Sequence, residues 1–278
     1  EYLYREEILW RQRSRVKWLR EGEQNTKYFQ QKATWRQKKN KISKLRNTEG
    51  KWVEGANELA SMATEFFKEL YKADNNLNPE ALLNLFSAKV TPEMNDQLCS
   101  EFTEKEISDA LFQIGPLKAP GVDGFPARFY QRNWSFMRDD VVAAVKEFFV
   151  NGVMPEGIND TVIVLIPKGN SPECFKDFRP ISLCSVIYKV ISKCLVNCLR
   201  NFLDHLVSET QRVFIPGRMI TDNASIAFEC CYKIQQSKIS QNTHCTYKLD
   251  LTKAYDRVEW KFLEGALSMF GCCHKWIS

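Results

Sequence analysis

Histidine is scarce in this chain, three among 278 residues, and His205, His244 and His274 stand far apart. Ten Cys are present, yet no C-x-x-C spacing occurs, so the clustered Cys/His ligands of a structural zinc site are not expected. No G-x-x-x-x-G-K-[ST] stretch occurs, which removes a P-loop. Apolar runs are short as well: none approaches the ~20 residues of a membrane span, and no apolar core follows a basic start as in a secretory leader. The expected setting is therefore intracellular, cytoplasm or nucleus, with no membrane partner. Cys194 and Cys198 fall at helical spacing, while Cys230-Cys231 and Cys272-Cys273 are adjacent pairs. That pattern reads as thiols in a reducing compartment rather than a disulfide frame. No internal repeat or low-complexity tract is evident.

What is present is an uneven charge. The net charge of +5 conceals 15 Lys/Arg against 6 Asp/Glu in residues 1–52, leaving 24 against 28 for the rest. The length allows one large or two modest domains with a real core. Glu1 to about Leu45 reads as mainly helical, with Tyr28, Phe29 and Trp35 among many charges. Such an arm is either a solvated amphipathic helix or an RNA-tracking element, in which Arg11, Arg13, Arg15 and Lys17 neutralise phosphates while aromatics stack on bases.

Further along, Thr48 to Trp52 is expected as a turn and Ala56 to Tyr71 as an amphipathic helix. The Asn-rich stretch Asp74 to Pro79 is the candidate linker. Thr103 and Glu106 have capping-box spacing at the head of a helix. Pro116 to Gly124, with two Pro and two Gly, reads as a stiff loop. Asp139-Asp140 reads as an N-terminal cap of a helix Val141 to Val150. Thr161 to Ile166 is β-branched and apolar, so it reads as a buried strand. Asp177 to Leu183 reads as the returning strand, kept to an edge or strand end by Pro180. A hairpin of that kind carries Lys168 and Arg179, which are either solvated or poised for a polyphosphate. Ser185 to Leu206 has the apolar spacing of one long helix, and Thr221-Asp222-Asn223 opens another through Ile234.

The run Tyr247 to Trp260 reads as a strand ending on Asp250, a tight turn and a helix. That helix has an apolar stripe of Val258, Phe262, Leu263, Ala266, Leu267 and Phe270, stopped at Gly271. An Asp at a strand rim is either a turn residue or a metal ligand.

Leu249-Asp250-Leu251-Thr252-Lys253-Ala254-Tyr255-Asp256-Arg257-Val258 resembles the first palm motif of reverse transcriptases, in the form found in LINE-type non-LTR retrotransposons of plants. Pro116 to Phe125 is similar to that family's P-x-K-A-P-G-P-D-G-F box, with Val122 where Pro is usual. Leu165 to Lys168 and Phe178 to Leu183 resemble its I-P-K and Y/F-R-P-I-S-L fingers motifs. Gln211 to Asn223 resembles its Q-x-x-F-I-P-G-R-x-I-x-D-N segment, and Trp18 to Trp52 its upstream linker. The motifs stand in family order.

The resemblance implies an α+β fold: a partial right-hand polymerase, fingers and start of palm, preceded by a basic helical arm. Residues 1–73 would be the linker and 80–278 the reverse transcriptase domain. It implies an RNA-directed DNA polymerase that takes an RNA template, a DNA primer and deoxynucleoside triphosphates, with Mg2+ or Mn2+. Asp250 would be catalytic and, with the carbonyl of Leu251, a metal ligand. Lys168, Arg179, Lys253 and Ala254 would lie against the triphosphate, and Tyr255 would be the steric gate against a ribose 2′ hydroxyl. Arg218 would touch template phosphate, or else form a plain salt bridge. The family's other catalytic carboxylates belong to a downstream Y/F-A-D-D box, and no such box is present up to Ser278. The alternative expectation is a decayed element's reading frame that at most binds RNA.

Overall fold

The computed structural model describes Trp10 and residues 26–73, 79–236, 246–250 and 254–277. In chain order the elements are α1 (Thr26–Asn40), β1 (Lys44–Arg46), β2 (Trp52–Glu54), α2 (Ala56–Leu70), α3 (Glu80–Leu83), α4 (Pro92–Leu98), α5 (Glu104–Gln113), α6 (Ala127–Arg132) and α7 (Trp134–Asn151). There follow β3 (Val162–Pro167), β4 (Phe178–Leu183), α8 (Val186–Arg200), α9 (Leu203–Leu206), α10 (Ile220–Gln236), α11 (Trp260–Phe270) and α12 (His274–Ile277). The fold is mixed: helices with two separate two-stranded antiparallel sheets among the described residues, β1–β2 and β3–β4. The chain divides into two compact units, one made of Glu1–Leu70, Leu111–Val141 and Met154–Lys189, the other of Tyr71–Ala110, Val142–Val153 and Val190–Ser278.

The first unit is organised by its hairpins. In β1–β2, Leu45 pairs with Val53, and Leu45 is fully buried beside Phe175 and Phe178. Leu59, Met62 and Phe66 of α2 and Leu165 of β3 complete this core. Phe66 stacks on Phe175 at 5.4 Å. Burying side chains such as Leu45 and Phe178 contributes about 1.5–3 kcal/mol each. The turn expected at Thr48 to Trp52 is thus the tip of a hairpin whose strands, three residues each, are too short to show alternation in the sequence.

The second unit centres on Leu98, Phe202 and Leu206, with Met94, Leu199 and Trp276 packed against them. Gly271 takes φ +90° at the end of α11, and its N–H reaches Ser268 O at 2.9 Å while that of Cys272 reaches Leu267 O at 3.1 Å. This is the left-handed glycine stop that its sequence position suggested. Asn95 ties α4 to the same turn, donating to Gly271 O at 2.7 Å and accepting from Cys273 N at 2.8 Å.

Several expectations need correction. Ser185 to Leu206 is not one helix: α8 ends at Arg200, and the chain turns so that Phe202 enters the core beside Leu98. Asp139 and Asp140 lie inside α7 rather than before it, because Asn133 ends α6 and α7 already starts at Trp134. Asp139 instead accepts from Arg138 Nε at 2.9 Å. Cys99 and Cys273, expected as separate thiols, are joined sulfur to sulfur, since Asn95 draws the Gly271–Cys273 turn onto α4. Cys194 does behave as a core residue, its thiol pushed up to about 12 by burial and, secondarily, by Glu106. The linker at Asp74 to Pro79 falls, except for Pro79, outside the described residues. No helix among the described residues is long and apolar enough to cross a membrane.

Candidate nucleotide and nucleic-acid sites

The β3–β4 hairpin forms where the sequence suggests, paired from Val162↔Leu183 to Pro167↔Phe178. But β3 is not the buried strand its apolar run implies: Val162, Ile163 and Val164 are exposed, because the sheet has only two strands and Leu165 alone of its apolar residues packs into the shared core. Arg179 stands opposite Ile166. Its guanidinium is exposed and meets no hydrogen-bond or ion-pair partner among the described residues. Lys168 sits where β3 gives way to the turn. Its N–H donates to Asp177 O at 2.8 Å and its Nζ to Lys176 O at 2.8 Å. The two cations therefore differ: Arg179 is available, while Lys168 is partly committed to the turn.

Asp177 organises that turn. Its Oδ2 accepts from Glu173 N at 2.9 Å and from Cys174 N at 3.0 Å. These two backbone hydrogen bonds hold its carboxyl below the usual range, with a smaller contribution from the Lys168 charge. Arg46 closes the other side through an ion pair to Glu173 at 3.2 Å. Between them lies a cavity of about 450 Å³ lined by Arg46, Lys168, Ser171, Glu173 and Asp177. Sequence reading missed Arg46, which stands in a three-residue strand with no local signal.

The loop from Pro116 to Gly124 is packed against the start of α8. A Cβ at Gly121 would fall 2.6 Å from Ser185 N and 2.7 Å from Cys184 C, against backbone that cannot swing aside. Lys189 Nζ donates to Ala119 O at 2.9 Å. Ser185, buried, donates to Ile158 O at 2.9 Å and accepts from Tyr188 N at 3.2 Å. Ser185 was detectable as a helix cap before an apolar run; Lys189 carried no signal apart from the loop it serves. The glycine-rich box is thus a fixed brace between elements of the first unit.

In the second unit, Arg218 is engaged on every side described. Its Nη1 donates to Ser208 O at 2.6 Å and Gln211 O at 2.8 Å, and its Nη2 meets Asp204 at 3.1 Å. Of its two readings, the salt bridge is the contact that the structure contains. The loop also holds Phe214 at φ +66°, 78% exposed.

Residues 246–250 carry no strand. A strand needs a ladder partner, and residues 246–250 belong to neither described sheet. Tyr247 and Leu249 remain 81% and 79% exposed, and Asp250 is an exposed carboxylate. Leu251 and Lys253 lie outside the described residues, as do Arg11, Arg13, Arg15 and Lys17. Ala254 precedes a short 3-10 turn, Tyr255–Arg257, before α11; Tyr255 is 81% exposed. Asp250 is a hard oxygen donor of the kind Mg2+ accepts. It fits as one ligand of a set that the described residues do not complete, since no three Cys, His, Asp or Glu gather among them.

Residues 166–278 match the family described as Reverse transcriptase (RNA-dependent DNA polymerase). That span takes in Lys168, Arg179, Arg218, Asp250 and Tyr255. Over 260 residues, 93% of this chain, the sequence is 27% identical to the Transposon TX1 uncharacterized 149 kDa protein of Xenopus laevis. The chain spans 20% of that relative's length. Its similarity is thus to a reverse transcriptase domain and, distantly, to a transposon protein.

Proposed function

We propose that this chain supplies the linker, fingers and first palm motif of the reverse transcriptase of a LINE-type, non-LTR retrotransposon. The longer protein would be an RNA-directed DNA polymerase that copies an RNA template from a DNA primer. The observation that carries this reading is the ordered set of motifs, with the family match covering the later ones from Ile166 onward. Residues 1–73 are then the basic linker, and residues 80–278 the fingers and first part of the palm. Similarity to a transposon protein over 93% of the chain supports the element type.

Residue roles follow from that reading. Arg179, exposed on a braced hairpin, forks onto triphosphate oxygens, and Lys168 adds a charge at the turn. The main-chain N–H groups of Lys253 and Ala254 lie against the same triphosphate. Tyr255 is the ring that excludes a ribose 2′ hydroxyl. Asp250 contributes one carboxylate, and Leu251 one carbonyl, toward Mg2+ or Mn2+, with the remaining carboxylates expected in a Y/F-A-D-D box.

The chain as given is expected to incorporate no nucleotide on a primed RNA template, because Asp250 stands without the rest of that clamp. The direct test is to read the codons downstream of Ser278 and express the chain through any Y/F-A-D-D box found in frame. Templated incorporation by the extended protein supports the proposal. An interrupted frame, or an intact one without incorporation, leaves the reading of a decayed element that at most binds RNA through its basic arm.

A further inference from the structure

Residues 26–46 contain eight basic residues and no acidic one. A helix that merely solvates itself tends to place acids in its first turn and bases in its last. Helix α1 has Lys38 and Lys39 in its last turn but no acid in its first, and Lys27 stands at that first turn. The helix dipole therefore does not account for the charge.

Its placement is more specific. Tyr28, Lys32, Trp35 and Lys39 follow one another at i, i+4, i+7 and i+11, within about 60° of the helix circumference. Lys32 Nζ lies 5.8 Å from the Tyr28 ring and 6.0 Å from that of Trp35, and Lys39 Nζ lies 5.2 Å from Trp35. Phe29, buried, anchors the helix through a different face. The next hairpin repeats the motif. Lys44, Arg46, Trp52 and Glu54 share the outer face of β1–β2, with Lys44 Nζ and Arg46 Cζ each 4.9 Å from the Trp52 ring. Trp35 is 58% and Trp52 45% exposed. One exposed Trp is ordinary; two, each attended by two cations, form a pattern, with Lys44 also pairing with Glu54 at 3.9 Å. Lys39 Nζ also donates to Asn170 Oδ1 at 3.0 Å, and Arg46 pairs with Glu173, so the segment is joined to the turn that carries Lys168.

We propose that α1 and the β1–β2 hairpin form a stacking track for a single-stranded polynucleotide. Unpaired bases lie against Trp35 and Trp52, and the neighbouring Lys and Arg side chains take the phosphates. This rests on the nucleic-acid reading above and adds strand-state selectivity to it. Aromatic rings engage only bases free to leave a helix, whereas a duplex offers mainly its phosphates. A uniformly basic patch would hold both forms.

The test is binding by the full chain, without nucleotides or metal, to a mixed-sequence RNA strand, its duplex and the matching DNA strand, followed by fluorescence anisotropy against salt. Trp35→Ala and Trp52→Ala are expected to weaken single-strand binding by about five- to hundredfold each, with duplex binding and salt slope unchanged. Trp35→Phe is expected to restore most of the loss, which separates stacking from folding damage. Lys32→Gln with Lys39→Gln is expected to flatten the salt slope instead. Preference between the RNA and DNA strands tells a template track from a primer track. Equal weakening of single strand and duplex in the Trp variants, or no weakening, overturns the proposal. Because no catalysis is read, failure of the polymerase reading leaves this result interpretable.

Discussion

The β3–β4 hairpin and residues 246–250 both carry motifs of one family resemblance, yet the chain builds them to very different degrees. In the hairpin each strand supplies the other's backbone partners over six register pairs. Asp177 pins the turn, and Leu165 and Phe178 join a shared core. Residues 246–250 join no ladder among the described residues, and Tyr247 and Leu249 are left in solvent. The difference lies in where the partners are. A hairpin finds its hydrogen-bonding edge a dozen residues away, whereas a single strand stays hydrated until another strand is brought to it. The hairpin, proposed to meet the nucleotide, is thus the preformed half of the pair, whereas residues 246–250, proposed to end on a metal ligand, join no described sheet.

That contrast can be sharpened in a protein extended through the downstream palm. Tyr255 is exposed here, so Tyr255→Ala is expected to leave the folding of this chain unchanged. In the extended enzyme it is expected to admit ribonucleotides, costing on the order of 10²-fold in discrimination while deoxynucleotide use largely persists. Paired single-turnover kinetics with ribo- and deoxynucleotides reads this directly, and unchanged discrimination would show that the turn is not the gate. Arg179→Ala is expected to weaken capture of both nucleotide types through loss of a charge-assisted contact worth about 1.5–3 kcal/mol. Nucleotide titration of the rate measures it.

Stability tests address the preformed half without any extension. Gly121→Ala pushes a Cβ into the backbone at Cys184 and Ser185, and overpacking of that kind costs about 1–3 kcal/mol. Gly124→Ala meets open space at φ +73° and is expected to cost about 1 kcal/mol from backbone strain alone. Urea unfolding monitored by circular dichroism compares the two, and an inverted order would detach the glycine-rich loop from α8. The smallest effect is expected at Asp177, whose folded-state carboxyl is lowered by backbone N–H groups. Its contribution to stability is present above the ordinary value of 3.8 and is lost as pH falls through the lowered one. Asp177→Asn should therefore lower the melting temperature at neutral pH and flatten its decline below about pH 4.

The same contrast explains what the sequence disclosed. The strand from Val162 and its return through Pro180 were legible because β-branched residues, Pro and Gly mark a hairpin locally. The Thr103–Glu106 capping box was legible for a similar reason: Thr103 N donates to Glu106 Oε2 at 2.8 Å and Glu106 N to Thr103 Oγ1 at 3.2 Å. Gly271 was readable as a helix stop. Features made by distant partners were not legible. Nothing near Phe202 signals that α8 must break to bury it, and nothing near Asn95 signals its grip on a turn 176 residues on. At Asp250 the alternating pattern overstated the result, since alternation describes what a strand would bury and not whether a partner is present.

The measurement that bears most directly on the central claim is primer extension on an RNA template by the extended protein and by its Asp250→Ala variant, assayed with deoxynucleotides and Mg2+. Asp250 is exposed in this structure, so its replacement is expected to leave the thermal stability of the fold unchanged. The account predicts templated DNA synthesis by the parent and none by the variant. Synthesis by Asp250→Ala at the parental rate would contradict it.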